Sequence, residues 1–434
     1  MILAVVFIIL IILGIGLPVL LVIVPKSNFF IKVGFSFPIG IGIFTLMMFL
    51  SNLLGFRFSL LNEFLLFLLL SIPLIFIAEK RIKDFYIDSV RMFRHSNLSQ
   101  FELTMLGILA FLTVTSFVNT FYWPVHIWDS LVLYDFRGHV FASTGLMSPA
   151  FIDGYYYSYP LLTSLAHTIV YLAGGKYPQF LYSLFYLSLG LGFYGLLREF
   201  VSRKTSMLFT TLLLSTGLIF YHSLLSLTNL PYSVYLSLGA ICIYLWDKKK
   251  EKGYLILSAL LVGLSTWTRS TEPFWMAILF VVFIVSIYRR KIWNIAVYSL
   301  VFFPIREVWK VFQNSLMGKV ASTAGGVSYA KFLAASFDFP QWGQIIIYLF
   351  KNVVMPWGAI FVVYILVTIS LFVLKTQKKF FLIFFITYAL LAVLIVGTFG
   401  LSLIEEDWYR IGDAAQRLSM LFYPLFVYCI ALVL

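Results

Sequence analysis

Residues 121–145 combine two carboxylates, an arginine and two histidines directly after a long apolar run. The ionisable side chains of this stretch are His126, Asp129, Asp135, Arg137 and His139. Carboxylates and imidazoles can transfer protons, and arginine holds phosphate through paired hydrogen bonds. Because ionisable groups beside a membrane helix are costly and mark functional sites, the stretch predicts a reactive site at one membrane face.

The residues from Ser130 onward show the periodicity of an amphipathic helix. The predicted apolar face holds Val132, Leu133, Phe136 and Val140, and the other face holds Tyr134, Arg137, Gly138 and Ser143. We expect this helix to lie in the membrane interface with its apolar side down. Asp129 begins it, as an N-cap, as a reactive carboxylate, or as both. Asp135 and His139, four residues apart, are placed to pair on one helical face.

The composition indicates a membrane protein. Apolar residues make up 62% of the 434, and only 11% are charged, far below the roughly 25% of a soluble domain. The net charge of +13 comes from basic residues clustered in short loops between apolar runs. This distribution is typical of cytoplasmic membrane loops and argues against a nucleic-acid partner.

The fold class predicted from these runs is all-α, a polytopic transmembrane bundle of about thirteen helices. Runs long enough to cross a bilayer are residues 2–24, 33–56, 60–78, 101–121, 178–197, 205–222, 230–246, 254–270, 273–288, 292–305, 352–374, 380–400 and 418–434. The basic loops alternate on one side only if residues 158–176 form a helix at the outer interface. Three extracytoplasmic loops are then chemically rich: 122–177, 306–351 and 401–417. The first of these would carry interfacial amphipathic helices.

Several short motifs resemble the GT-C superfamily of membrane glycosyltransferases. Residues 128–145 look like the first extracytoplasmic loop of protein O-mannosyltransferases, aminoarabinose transferases and lipopolysaccharide-core transferases. Residues 159–161 resemble a Tyr-Pro-Pro-Leu segment, 265–269 a Leu-Thr-Lys/Arg helix end, and 413–417 an arginine loop before the last helix. The resemblance covers residues 101–434 as a catalytic core. Residues 1–100 would add three N-terminal helices and a basic cytoplasmic loop.

The resemblance implies an inverting transfer of sugar from a polyprenyl-phosphate donor to an acceptor hydroxyl at the extracytoplasmic face of the plasma (inner) membrane. Asp129 would be the general base, with Asp135 as a second catalytic carboxylate. The predicted substrate-binding residues are Arg137, His139, Tyr159, Lys176, Arg269, Glu272, Arg410 and Arg417. Arg269 and Arg417 would hold the departing phosphate, although they could instead reach lipid headgroups or pair with Glu272 and Asp413.

Other readings of the sequence stay open. An O-antigen polymerase or ligase also has many helices and large outer loops, and a lipid-linked oligosaccharide flippase or transporter is a third class. A transporter should carry ionisable groups near the bilayer midplane, whereas Arg269 and Arg417 stand at helix ends. Membrane lipids and a lipid, glycan or protein acceptor are the expected partners. No cofactor is indicated, and a divalent metal remains an alternative with few convergent ligands.

Overall fold

The computed structural model describes residues 1–94, 97–154, 159–270, 273–317, 338–374, 377–404, 408–410 and 412–434. Every regular element in these ranges is helical, which confirms the predicted all-α class. The first helices are α1 (Ile2–Ile23), α2 (Phe29–Leu53), α3 (Leu60–Arg94), α4 (Gln100–Tyr122), α5 (Phe136–Thr144), α6 (Leu162–Leu172), α7 (Phe180–Leu197), α8 (Arg203–Leu214) and α9 (Gly217–Ser223). The later helices are α10 (Asn229–Lys249), α11 (Lys252–Thr268), α12 (Phe274–Tyr288), α13 (Trp293–Met317), α14 (Phe339–Leu349), α15 (Met355–Val373), α16 (Gln377–Ile404), α17 (Gly412–Leu418) and α18 (Phe422–Val433).

Eight helical segments in the described ranges are long and apolar enough to cross a membrane. The number becomes nine if α8 and α9, which meet at an angle of 69°, form one broken span. These segments are α1, α2, α3, α4, α7, α14 joined to α15, α16, and α17 joined to α18. The protein therefore has the helices of a polytopic membrane protein. Helices α10 to α13 also coincide with predicted apolar runs.

Two helices are longer than the sequence predicts. Helix α3 continues to Arg94 through residues predicted as a basic loop, and α13 continues to Met317 into the predicted outer loop 306–351. The predicted helix ends at residues 78 and 305 are wrong. Charged residues mark where a helix leaves apolar surroundings, but they do not end the helix, because its backbone hydrogen bonds continue in water.

The predicted interfacial segment 158–176 contains α6. This helix has 11 residues, too few to cross about 30 Å of hydrocarbon. Residues 162–170 are all buried, so α6 is packed inside the end of the bundle rather than lying on its surface.

The three N-terminal helices share the hydrophobic core with the rest of the chain. A Cβ atom on Gly34 of α2 would lie 2.3 Å from the backbone nitrogen of Gly192 on α7, so the two backbones are in close contact. The Tyr235 hydroxyl of α10 donates to the Pro38 carbonyl over 2.6 Å. Packing is thus continuous across residue 100, and the division into residues 1–100 and 101–434 stays a prediction from the resemblance.

Ion pairs join the helix connections at one end of the bundle, which we call the basic end. It is defined by the connections around residues 97–99, 198–202, 250–251 and 289–292. There Arg203 pairs with Glu102, Lys249 with Glu199, and Arg289 with Asp247. The opposite end, the loop end, holds residues 54–59, 123–154 and 159–161, where the Phe58 N–H donates to the Gly145 carbonyl over 2.9 Å.

Candidate active site

The segment after α4 folds as a bent helix at the loop end. A π-helical turn, Ser130–Asp135, leads into α5, and Gly145 ends α5 with a left-handed φ of +73°. Asn52 of α2 donates from Nδ2 to the Gly145 carbonyl over 3.1 Å and accepts at Oδ1 from the Met147 N–H over 3.2 Å. The N-terminal helices therefore hold the end of this segment in place.

The faces predicted for this helix are partly wrong. Tyr134, Arg137 and Gly138, predicted to face away from the apolar side, are buried against the protein. Leu133 is buried beside them, whereas Phe136 is 45% exposed. In a membrane protein the lipid-facing side is the apolar one, so the polar side turns inward to find hydrogen-bond partners.

Asp129 pairs with Arg417, the arginine of the segment before the last helix. Nη1 of Arg417 donates to Oδ2 of Asp129 over 2.9 Å, and the side chains are 20% and 42% exposed respectively. The carboxylate is therefore reachable from solvent. His222 of α9, which is buried, lies within electrostatic reach of Arg417.

The geometry excludes the N-cap alternative for Asp129. Its backbone is helical, with φ −57° and ψ −37°, and its side chain makes no capping hydrogen bond within the described part of the chain. A capping residue normally has an extended backbone. The carboxylate is directed at Arg417 instead.

Asp135 is the centre of a second, enclosed group of side chains, the Asp135 cluster. Its Oδ1 accepts a hydrogen bond from the Tyr171 hydroxyl and lies 3.1 Å from Nδ1 of His167. Its Oδ2 lies 3.6 Å from Nε2 of His139, the pair expected from the sequence. Nε2 of His167 lies 3.1 Å from the Tyr182 hydroxyl of α7. The cluster ties the π-helical turn to α6 and α7.

The environment keeps Asp135 charged. Burial raises the pKa of its carboxyl, but the hydrogen bond and charge of His167, together with Tyr171 and His139, outweigh burial and place the pKa below the ordinary 3.8. Burial and the Asp135 charge raise the pKa of the Tyr171 hydroxyl, which stays a donor. The side chain of Asp135 is only 10% exposed, and its contacts with His167 and Tyr171 hold the segment.

Arg137, predicted to bind phosphate, is completely buried. Its Nη1 donates to the Tyr159 carbonyl over 3.1 Å, and its guanidinium lies 5.0 Å from the centre of the Phe151 ring. Tyr159 packs edge-on against Tyr134, with ring centres 6.1 Å apart. These contacts place Arg137 and Tyr159 in the support of the loop end rather than on its open surface.

The other predicted site residues are spread around the loop end. Lys176 is exposed between α6 and α7, and Arg269 follows the last residue of α11 in an extended conformation. Arg410 ends a short 3-10 helix, while Glu272 lies outside the described residues. No group of three His, Cys, Asp or Glu that could hold a metal ion is found among the residues described.

The prediction from the sequence did not include four residues near the candidate site: His167, Tyr171, Tyr182 and His222. His167 carried a usable signal, because an ionisable residue in an otherwise apolar helix needs a partner. The two tyrosines carried no usable signal, since many tyrosines in this chain lie near helix ends. Their participation depends on how α6 and α7 pack against the π-helical turn.

No protein-family model matches the chain. Comparisons with curated proteins and with solved structures also find no match. The resemblance to GT-C enzymes therefore remains a prediction from short motifs.

Proposed function

We propose that the protein is an integral-membrane glycosyltransferase of the GT-C type. It would transfer a sugar from a polyprenyl-phosphate donor to an acceptor hydroxyl, with inversion at the anomeric carbon. The site would be at the loop end, on the extracytoplasmic face of the plasma (inner) membrane. With α8 and α9 as one span, helices α10 to α13 would complete thirteen crossings.

The pairing of Asp129 with Arg417 is the observation that supports this proposal best. An inverting transfer needs a base beside the acceptor hydroxyl and a cation beside the departing phosphate. The two side chains are in contact, partly exposed and at one end of the bundle. They come from the two segments that the motifs single out independently, residues 128–145 and 413–417.

The ion pair suggests how the site binds its donor. A phosphate offers arginine a bidentate, charge-assisted partner and so competes with Asp129 for Arg417. Donor binding would then free an oxygen of Asp129. That oxygen takes the proton of the acceptor hydroxyl, the hydroxyl oxygen bonds to the anomeric carbon, and the bond from that carbon to the phosphate oxygen breaks. The polyprenyl phosphate leaves with the electron pair, and Arg417 stabilises its charge.

The Asp135 cluster would position this base. Asp135 lies at the other end of the π-helical turn that begins after Asp129, and its partners anchor the turn to α6 and α7. Arg137 anchors the following turn through the Tyr159 carbonyl. We assign positioning roles to both residues, since neither is open to substrate.

A transporter of lipid-linked oligosaccharides is the second candidate, because broken helices are typical of transporters. The bend of 69° between α8 and α9 is such a break, and His222 lies just beyond it. An O-antigen polymerase or ligase would also transfer a lipid-linked glycan, so that alternative belongs to the same broad class of enzyme as the first proposal.

The deciding experiment uses the purified protein in nanodiscs with a panel of polyprenyl-phosphate sugars and an acceptor lipid fraction. We expect sugar transfer, its loss in Asp129→Asn with donor binding retained, and weaker donor binding in Arg417→Gln. Asp84→Asn, an exposed acid at the basic end, is the matched control. Full transfer by Asp129→Asn removes the base assignment. Movement of the donor across liposomes without any transfer would favour the transporter instead.

A further inference from the structure

A groove at the basic end lies on the opposite side of the bundle from Asp129. Its volume is about 800 Å³, and its walls are mostly apolar. It lies between α4, α7 and α8, and Phe30 of α2 and Met92 of α3 also line it. We propose that this groove binds one acyl chain of an anionic diacyl phospholipid, with the phosphate beside Arg198.

One stripe of each surrounding helix lines the groove. Helix α4 contributes Leu106, Leu109, Ala110, Thr113 and Val114, which recur at intervals of three and four residues. Such spacing places side chains on one helical face. The groove is therefore a continuous channel between helices and is not a gap at a single position.

The length of the groove matches one leaflet of a bilayer. Its wall on α7 runs from Leu187 to Arg198, and its wall on α8 runs from Arg203 to Leu214. At 1.5 Å per residue each wall is about 16 Å long. Half of a hydrocarbon core of about 30 Å is about 15 Å. A chain anchored at the basic end would reach the bilayer midplane and stop.

The charge at the mouth favours an anionic headgroup. Arg198 donates from Nη1 to the Val201 carbonyl over 2.7 Å and has no acidic partner in the described ranges. Two acids at this end are already engaged: Glu102 pairs with Arg203, and Glu199 pairs with Lys249. The free donors of Arg198 therefore offer a phosphate charge-assisted hydrogen bonds at the mouth of the groove.

Native mass spectrometry of the detergent-purified protein tests this site. The protein is offered phosphatidylglycerol and phosphatidylcholine with identical chains, and then polyprenyl phosphate as a competitor. We expect preferential retention of phosphatidylglycerol, and a loss of about tenfold in its affinity in Arg198→Gln, the effect of about 1.4 kcal/mol for one charge-assisted contact. Lys291→Gln, an exposed cation at the same end, should bind as the wild type does.

A second pair of variants tests the groove itself. Ala110→Phe places a ring in the groove from an exposed position and should abolish retention, whereas Val118→Phe on the same helix should not. Equal retention of both phospholipids, or unchanged binding in Arg198→Gln or Ala110→Phe, overturns the proposal. Displacement of phosphatidylglycerol by equimolar polyprenyl phosphate would also overturn it, because the occupant would then be the polyprenyl lipid.

Discussion

The Arg417 guanidinium donates to the Asp129 carboxylate over 2.9 Å, although 288 residues separate the two along the chain. The contact joins the segment after α4 to the segment before the last helix. It brings a carboxylate and a guanidinium together at a partly exposed position of the loop end. The proposed reaction depends on this contact.

The Asp129–Arg417 pair should matter far more for transfer than for stability. An ion pair exposed to this extent contributes roughly 0.2–1 kcal/mol to folding. Asp129→Asn, Arg417→Gln and the double variant should therefore shift thermal unfolding little. Loss of the base should lower the transfer rate by about 10²–10⁴-fold. The measurement is a double-mutant cycle on both quantities, and a stability loss large enough to explain the lost activity would contradict the prediction.

The Asp135 cluster should make the protein sensitive to acid. Because the folded-state pKa of Asp135 is depressed, its stabilisation is complete above the unfolded-state pKa and is lost as the pH falls through the folded-state pKa. Wild-type thermal stability should therefore lose this contribution below about pH 4. Asp135→Asn should lower stability at pH 7 by about 1.5–3 kcal/mol and show less of the acid dependence. Parallel acid dependence in both proteins would show that Asp135 is not responsible.

Close packing of α5 on α6 should make Gly138 intolerant of a side chain. A Cβ atom there would lie 2.8 Å from the His167 Cβ and 3.2 Å from the Ser164 carbonyl oxygen. Gly138→Ala should cost about 1–3 kcal/mol and displace His167 from Asp135. Gly107→Ala on α4 is the matched control, since its Cβ meets nothing within 4 Å and alanine favours a helix by about 0.5–1 kcal/mol. Thermal unfolding of the two variants should move in opposite directions.

Asn52 should link the N-terminal helices to the proposed site. Asn52→Ala removes the hydrogen bonds to Gly145 and Met147, at a cost of about 1–2 kcal/mol. It should also increase hydrogen exchange in residues 141–147, and transfer should fall without a change in donor binding. Ser51→Ala is a nearby control, because the Ser51 hydroxyl donates to the Met48 carbonyl within α2. Equal exchange in the two variants would mean that the N-terminal helices do not hold this turn.

The sequence alone determined the all-α class and the approximate positions of the long apolar helices. Apolar runs long enough for a bilayer predict helices directly, because the backbone must satisfy its hydrogen bonds locally in lipid. The same pattern located Asp129 beside the end of α4, and the four-residue spacing predicted the Asp135–His139 contact that the structure contains. These features depend on residues that are close together in the sequence, so the local sequence pattern is enough to predict them.

Only the tertiary structure decided which distant groups meet. Arg417 reaches Asp129, His167 reaches Asp135, and Asn52 reaches Gly145 because helices far apart in sequence pack side by side. The structure also turned the polar side of α5 inward and buried Arg137, which the periodicity left on an open face. Periodicity shows that a helix has two faces. Which face is buried depends on the neighbouring helices that supply hydrogen-bond partners. The tertiary packing determines which helices those are.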